Sequence, residues 1–272
     1  MNKVSIILPY YNRKKYLVAT LDGFQLLYGG NTRLEIVIVD DCSSEENRID
    51  DIVGSYKLNI NYVRISENTG INPCYVYNVG VRESTGDVLI LSSPEIFHIN
   101  NIFEISNNFK GLADDKYFLF SVFCLTEKTI LEKCLDGNVN INEKINEIKT
   151  FIPEFYKNLG INGYPFNNNY GSWYLHSKFR KSYLNFCTAL TKNLYYELSG
   201  FDERFRYGTE YDDNEFLDRV KQKINKYVWF DEFVSIHFDH PVAATMGCNS
   251  NLNLYNSVKS DVYEKNDNWG RL

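Results

Sequence analysis

The chain has 272 residues, 44% of them apolar and 15% aromatic, enough to bury the core of one large domain or two fused halves. A formal net charge of -6, with lysines and arginines scattered, speaks against a nucleic-acid surface and against a polybasic membrane anchor. Apolar runs are of strand length, so no transmembrane segment is expected. Six cysteines without a CxxC pair, and a start that runs directly into a strand without a signal-like segment, suit reduced thiols in a cytoplasmic protein.

In chain order, Val4 to Leu8 is a short apolar run stopped by Pro9, and Leu34 to Val39 repeats it before Asp40-Asp41. Ile60 to Ile65 and Val88 to Leu91 complete a set of four, the pattern of strands buried on both faces of a parallel sheet. Segments of helical length, Lys14 to Leu27, Glu45 to Ser55 and Cys74 to Glu83, lie between them, so the first part reads as βαβ units. Beyond these, Lys116 to Leu125 reads as a strand. Asp136 to Ile148 reads as a helix or an ordered excursion, and the Gly-, Pro- and Asn-rich Asn162 to Trp173 as a long loop. Tyr183 to Thr191 reads as a strand, and Lys192 to Leu198 as a helix closed by Gly200.

Ligands of parallel α/β sheets bind beyond the carboxyl ends of the strands. Pro9-Tyr10-Tyr11-Asn12-Arg13 follows the first strand there, and Asp40-Asp41-Cys42-Ser43 the second. A carboxylate in that position can accept a base N–H or hold ribose hydroxyls, a tyrosine can stack on the base, and Asn12 can bond its edge. The plainer alternative is that Asp41 or Ser43 caps the next helix. Neither GxGxxG nor GxxxxGK[ST] is present, which counts against a dinucleotide oxidoreductase and a P-loop NTPase. A third cluster follows: Asn68-Thr-Gly70, Asn78-Val-Gly80 and Gly86-Asp87.

Taken in this order, the clusters resemble the family 2 glycosyltransferases of the GT-A fold, from about Val4 to Leu91 and again from about Phe186 to His240. The resemblance implies an α/β, Rossmann-like single domain with a mainly parallel central sheet. Residues to about 100 would bind the nucleotide-sugar and about 101–272 the acceptor. It implies that Asp40 contacts the base, and that Pro9 to Arg13, Asp41 and the segment from Asn68 through Gly70 to Asn78 line the nucleotide-sugar. Two departures stand out. Tyr77 occupies a position where these enzymes often have arginine. The fourth strand ends Leu91-Ser-Ser-Pro-Glu95-Ile-Phe-His98, with Ser92 and Pro94 in place of the family's metal-holding Asp-x-Asp. Glu95 then becomes the expected main ligand with His98 assisting; its alternative is a loop carboxylate beside a helix start.

In the second half, Leu198-Ser-Gly200-Phe201-Asp202-Glu203 resembles the Gly-Gly-Phe-Asp-Glu motif that precedes the acceptor site, a resemblance that implies acceptor contacts for Phe201 and Asp202. Asp212-Asp213-Asn-Glu215-Phe216-Leu-Asp-Arg219 resembles the motif that carries the catalytic acids. An apolar stripe of Phe216, Leu217, Val220 and Ile224 independently places Asp213 inward at a helix start; two first-turn acids on a solvated helix are the alternative. Trp173 and His176 are candidate acceptor contacts, with core packing the commoner fate of a tryptophan. In Ser235-Ile-His237-Phe-Asp239-His240-Pro241, His240 at the strand end is preferred as a metal ligand over His237, one pleat further in.

The expected function is inverting transfer of a sugar from a nucleoside diphosphate, UDP above all, to a hydroxyl of a glycan or other acceptor. Asp213 would be the general base, with Asp212 beside it. A Mn²⁺ or Mg²⁺ ion would sit at Glu95 and His240, an imidazole favouring Mn²⁺. A sugar nucleotidyltransferase and a catalytically silent binding module are the alternatives. The donor sugar, the acceptor and the oligomeric state are not legible.

Overall fold

The computed structural model describes residues 3–105, 109, 111–156, 172–241, 248–258 and 268–272. Four strands form the first layer: β1 (Val4–Tyr10), β2 (Leu34–Asp40), β3 (Ile60–Arg64) and β4 (Val88–Leu91). They lie in the order β3-β2-β1-β4, all parallel. Every residue of β1, β2 and β4 is buried, because α1 (Lys14–Tyr28) and α2 (Cys74–Glu83) cover the sheet. That burial is why these strands read as unbroken apolar runs. Tyr10 pairs with Asp40, and Ile7 with both Val37 and Leu91, so the strands finish side by side. The segments 11–13, 41–43 and 92–95 therefore share one edge.

Beyond β4 the sheet becomes mixed. It continues through β8 (Thr188–Thr191), β6 (Lys116–Leu125), β9 (Lys226–Phe238) and β5 (Ile96–His98), with β7 (Ser172–Leu175) paired to β6. β4–β8, β8–β6, β6–β7 and β9–β5 are antiparallel, and β6–β9 is parallel. α4 (Lys128–Leu135) and α5 (Ile141–Tyr156) close a second core over β5, β6 and β9, built on Phe97, Phe123, Trp173, Ile148 and Phe238. The remaining helices are the short α3 (Ile102–Ile105), α6 (Lys192–Glu197), α7 (Asp212–Lys223) and α8 (Cys248–Val258).

Several expectations are adjusted. Glu45 to Ser55, read as a helix, forms two 3₁₀ turns, Glu45–Asn47 and Val53–Ser55, each broken after one turn. Tyr183 to Thr191 contributes only its last four residues to a strand. Most of the Asn162 to Trp173 loop lies outside the described residues, and its end is β7. No described helix is long and apolar enough to cross a membrane. Cys42, Cys74, Cys124, Cys134 and Cys187 are free thiols.

Candidate active site

At the β2 end, Asp40 is fully buried and its oxygens are taken. Oδ2 accepts from Tyr62 Oη at 2.7 Å and Arg64 Nη1 at 2.8 Å, and Oδ1 accepts from Ser43 N at 2.7 Å. The expectation that Asp40 itself touches a base is therefore corrected: it lies beneath the cleft and holds Arg64 at its surface. Arg64, Asn68, Gly70, Tyr75, Arg206 and Tyr207 line a cleft of about 580 Å³. Asp41 pins the segment above it, accepting from Thr69 N at 2.9 Å and Asn68 Nδ2 at 3.1 Å. Burial pushes the Asp41 carboxyl above its ordinary range. Gly70 is required: at φ +144° a Cβ would stand 2.2 Å from the Arg206 carbonyl oxygen. Asn12, at φ +51°, ties the β1 loop to the β2 loop by donating N–H to Ser43 Oγ and accepting from Ser44 N. Tyr10 is buried, its hydroxyl donating to the Asn47 carbonyl, while Tyr11 is 49% exposed and free to stack.

At the β4 end, Glu95 meets two histidines. β5 pairs with β9 so that Ile96 faces His237 and the Phe238 N–H donates to the Glu95 carbonyl at 3.0 Å. Ligand atoms of Glu95, His237 and His240 all lie within 4.8 Å of one another. Arg13 Nε stands 3.0 Å from Glu95 Oε1. His237 Nδ1 is buried and has no hydrogen-bond partner among the described residues, a lone pair or N–H that costs stability unless something binds there. Burial, followed by the neighbouring charges of His240 and Arg13, holds His237 neutral with its pKa pushed down to about 3. An orphaned imidazole, a second imidazole and a carboxylate fit a divalent transition ion. His98, the expected helper, is elsewhere. Its ring is fully buried among Phe24, Tyr28 and Phe233, bonds the Tyr28 hydroxyl at 2.7 Å and is held neutral by burial. It is a core residue, and the histidines that stand beside Glu95 are His237 and His240.

The third element is the start of α7. Glu210 and Tyr211 both have positive φ, +65° and +68°, costly for residues other than glycine. Asn251 of α8 holds the turn by donating to the carbonyls of Phe205 and Glu210. The turn delivers Asp212 and Asp213 together. Asp212 is the more buried and accepts from Asn72 Nδ2 at 2.7 Å; Asp213 is half-buried. Asp213, expected to be the inward acid, is thus the less buried of the two, although each stands one turn before a buried residue, Phe216 and Leu217. Burial first, and then the charge of Asp212, pushes Asp213 up to about 8. Tyr77, where arginine was expected, donates to the Ser92 carbonyl at 2.7 Å. Burial raises its pKa, and the charges of Asp212, Glu95 and Asp213 raise it further. The phenol thus sits where the acid pair and the Glu95 cluster both make themselves felt.

Other expected residues support the site from behind. Asn78 is fully buried and bonds Tyr195, Phe201 twice and Glu203, docking the 200–203 segment on α2 instead of lining a ligand. Phe201 is buried in a stack, 5.3 Å from Tyr77 and 4.4 Å from Phe216 between ring centroids. Asp202 is buried and caps the 3₁₀ turn that begins at Glu203. Trp173 is wholly buried against Phe123, so core packing is its role. His176 Nδ1 accepts from the backbone N–H groups of Lys178 and Phe179, closing a turn. None of these four presents a face to an acceptor. Arg219 clamps the motif around it: it chelates Glu215 and donates to the carbonyls of Leu198 and Gly200. Sequence reasoning does not single out Asn72 or Arg64, and it weighs His237 against His240 and sets it second; the structure puts both histidines beside Glu95.

Residues 5–92 match the model of the glycosyl transferase family 2. Among characterised proteins, the chain is 34% identical over 98 residues to the poly(ribitol-phosphate) beta-N-acetylglucosaminyltransferase TarS of Staphylococcus aureus, 35% of this chain but 17% of TarS. The match therefore spans under a fifth of that relative. The structure of S. aureus TarS 1–349 in complex with UDP superposes with a TM-score of 0.60 at 16% identity, covering 96% of this chain and 67% of that one. A Pyrobaculum calidifontis mannosyltransferase in complex with GDP-Man and Mn²⁺ superposes with a TM-score of 0.52 at 15% identity, covering 94% and 62%. These likenesses establish the GT-A fold.

Proposed function

We propose that this chain, whose residues 5–92 match the glycosyl transferase family 2 model and whose fold is GT-A, is a glycosyltransferase of that family and transfers a sugar from a UDP-linked donor to an acceptor hydroxyl with inversion. The carrying observation is convergence. A cleft of about 580 Å³ and a Glu95–His237–His240 cluster lie beyond the ends of the parallel strands, and the acid pair at the start of α7 is tied through Asn72 to the segment that lines the cleft. Arg64, backed by Asp40, and exposed Tyr11 would receive the uracil, as the bidentate fork and the aromatic face suit a flat polar ring. Glu95, His237 and His240 would hold Mn²⁺ or Mg²⁺; a cation bound there supplies positive charge against the diphosphate leaving group.

Asp213 acts on the acceptor. Its raised pKa makes it a stronger base once ionised than a solvated aspartate would be. It takes the hydroxyl proton as the oxygen attacks C1 from the face opposite the departing UDP. Asp212, tied to Asn72, keeps the carboxylate pair oriented and its charge holds the proton affinity of Asp213 high. Behind the acid pair, the stacked rings of Tyr77 and Phe201 add apolar packing that would keep its surroundings poor in water.

The reading is tested by thermal stabilisation with nucleoside diphosphates in the presence of Mn²⁺. UDP at a hundred times its Kd should raise stability by about 2.7 kcal/mol, with GDP and ADP doing less. Equal stabilisation by all three nucleotides, or none by UDP, would reject the uracil site.

A further inference from the structure

Arg13 occupies an unusual position for a residue expected to line a donor. Its Nε stands 3.0 Å from Glu95 Oε1, and Nη2 donates to the carbonyl of Pro241, the residue after His240, at 3.2 Å. The guanidinium thus bridges the two walls of the cluster, with its Cζ 5.8 Å from the Tyr16 ring centre. Glu95 is nearly inaccessible to solvent, 5% exposed, and a buried carboxylate without a counter-charge is expensive. Ligand atoms of Glu95, His237 and His240 lie within 4.8 Å of one another, yet His237 Nδ1 stays unpartnered. Arg13 therefore satisfies the carboxylate of the cluster and leaves its imidazole unsatisfied.

We propose that Arg13 is an internal counter-ion that competes with the divalent cation for Glu95, and that its release couples cation binding to diphosphate binding. The inference rests on the reading of Glu95, His237 and His240 as a cation site. A dication held by the Glu95 carboxylate and a guanidinium 3.0 Å from its Oε1 repel each other strongly at that separation, which favours Arg13 turning away from Glu95 when the ion binds. Its planar fork suits a phosphate, and the diphosphate would approach the same edge of the sheet. Cation and nucleotide then promote one another's binding by the same factor, as linkage requires. Without nucleotide the ion pair holds cation affinity down, so the site fills more readily once the donor arrives.

The test is the Mn²⁺ dissociation constant of the whole chain, read by electron paramagnetic resonance of free Mn²⁺, without and with saturating UDP. Wild type, R13Q, R13K and E95Q are compared after circular dichroism melts confirm folding. R13Q should bind Mn²⁺ alone about tenfold tighter, a gain of about 1.4 kcal/mol, and the factor by which UDP tightens Mn²⁺ should be smaller in R13Q than in wild type, because only the direct attraction of the diphosphate is left. R13K, a point charge of shorter reach, should fall between. In wild type, UDP should tighten Mn²⁺ by about tenfold. An unchanged or weaker Mn²⁺ affinity in R13Q, with E95Q abolishing binding, would overturn the role of Arg13 and leave the cation site standing. Absence of Mn²⁺ binding to wild type and R13Q alike, with or without UDP, would overturn the cation site and the inference with it.

Discussion

Replacing Asp213 by Asn keeps the shape of the side chain and removes its ability to accept a proton. In the free protein the Asp213 carboxyl is pushed up to about 8. About a tenth of it is then ionised at pH 7 and half at pH 8, so a rate that needs the carboxylate rises roughly fivefold over that unit. The profile to measure is kcat/KM against pH from 6 to 9.5, since that ratio reports the ionisations of the free enzyme. Wild type should show a rising limb that bends near pH 8. Asp213→Asn should lose the limb and about 10²–10⁴-fold in rate, with donor affinity nearly unchanged because the loss is confined to the transition state. Stability supplies a second readout. A carboxyl whose folded pKa is raised contributes fully below its unfolded value of 3.8 and loses stability as pH rises through about 8. The Asn variant escapes that decline. Each unit of the shift is worth about 1.4 kcal/mol, so its advantage at pH 8 over pH 4 should exceed that. A flat wild-type profile together with near-normal transfer by Asp213→Asn would refute Asp213 as the base.

Three further outcomes follow from the contacts. Asn72→Ala strips Asp212 of its 2.7 Å donor and should cost about 1–3 kcal/mol in a denaturant melt; an unchanged midpoint would show that Asp212 finds another partner. Asp40→Ala removes the acceptor of Arg64 and Tyr62, so UDP affinity measured by calorimetry should weaken by about 1–3 kcal/mol, and unaltered affinity would detach Arg64 from base binding. His98→Ala should lower stability by about 2–4 kcal/mol as a core truncation while leaving the Mn²⁺ dissociation constant unmoved; a loss of Mn²⁺ affinity would return His98 to the cation site.

The parallel half of the fold was legible because buried strands carry continuous apolar runs, and Val88–Leu91 and Cys74–Glu83 match to the residue. What escaped were elements too short for a period to develop, such as β5 with three residues, and elements whose shape depends on distant partners. The Asp212–Asp213 pair was located, but helical periodicity could not foresee that two left-handed residues before α7 turn Asp212 inward toward Asn72, 140 positions away. His237 was passed over as one pleat in, and only the β5–β9 pairing reveals that it shares a pocket with Glu95. Trp173 and His176 suggest acceptor contacts by residue type, and Phe201 and Asp202 by the motif they share, yet all four are buried. Type alone does not say whether an aromatic ring faces a sugar or the back of a sheet.

The central claim is transfer from a UDP-sugar through a carboxylate base, and its most direct measurement is UDP release from a panel of UDP-sugars with Mn²⁺, by wild type and Asp213→Asn in parallel. The account predicts that wild type turns over at least one UDP-sugar, that Asp213→Asn binds the same donor with similar affinity, and that its turnover falls by about 10²–10⁴-fold. Binding of UDP-sugars without turnover of any by wild type, even with a broad set of glycan and polyol acceptors supplied, would contradict it and make the chain a binding module.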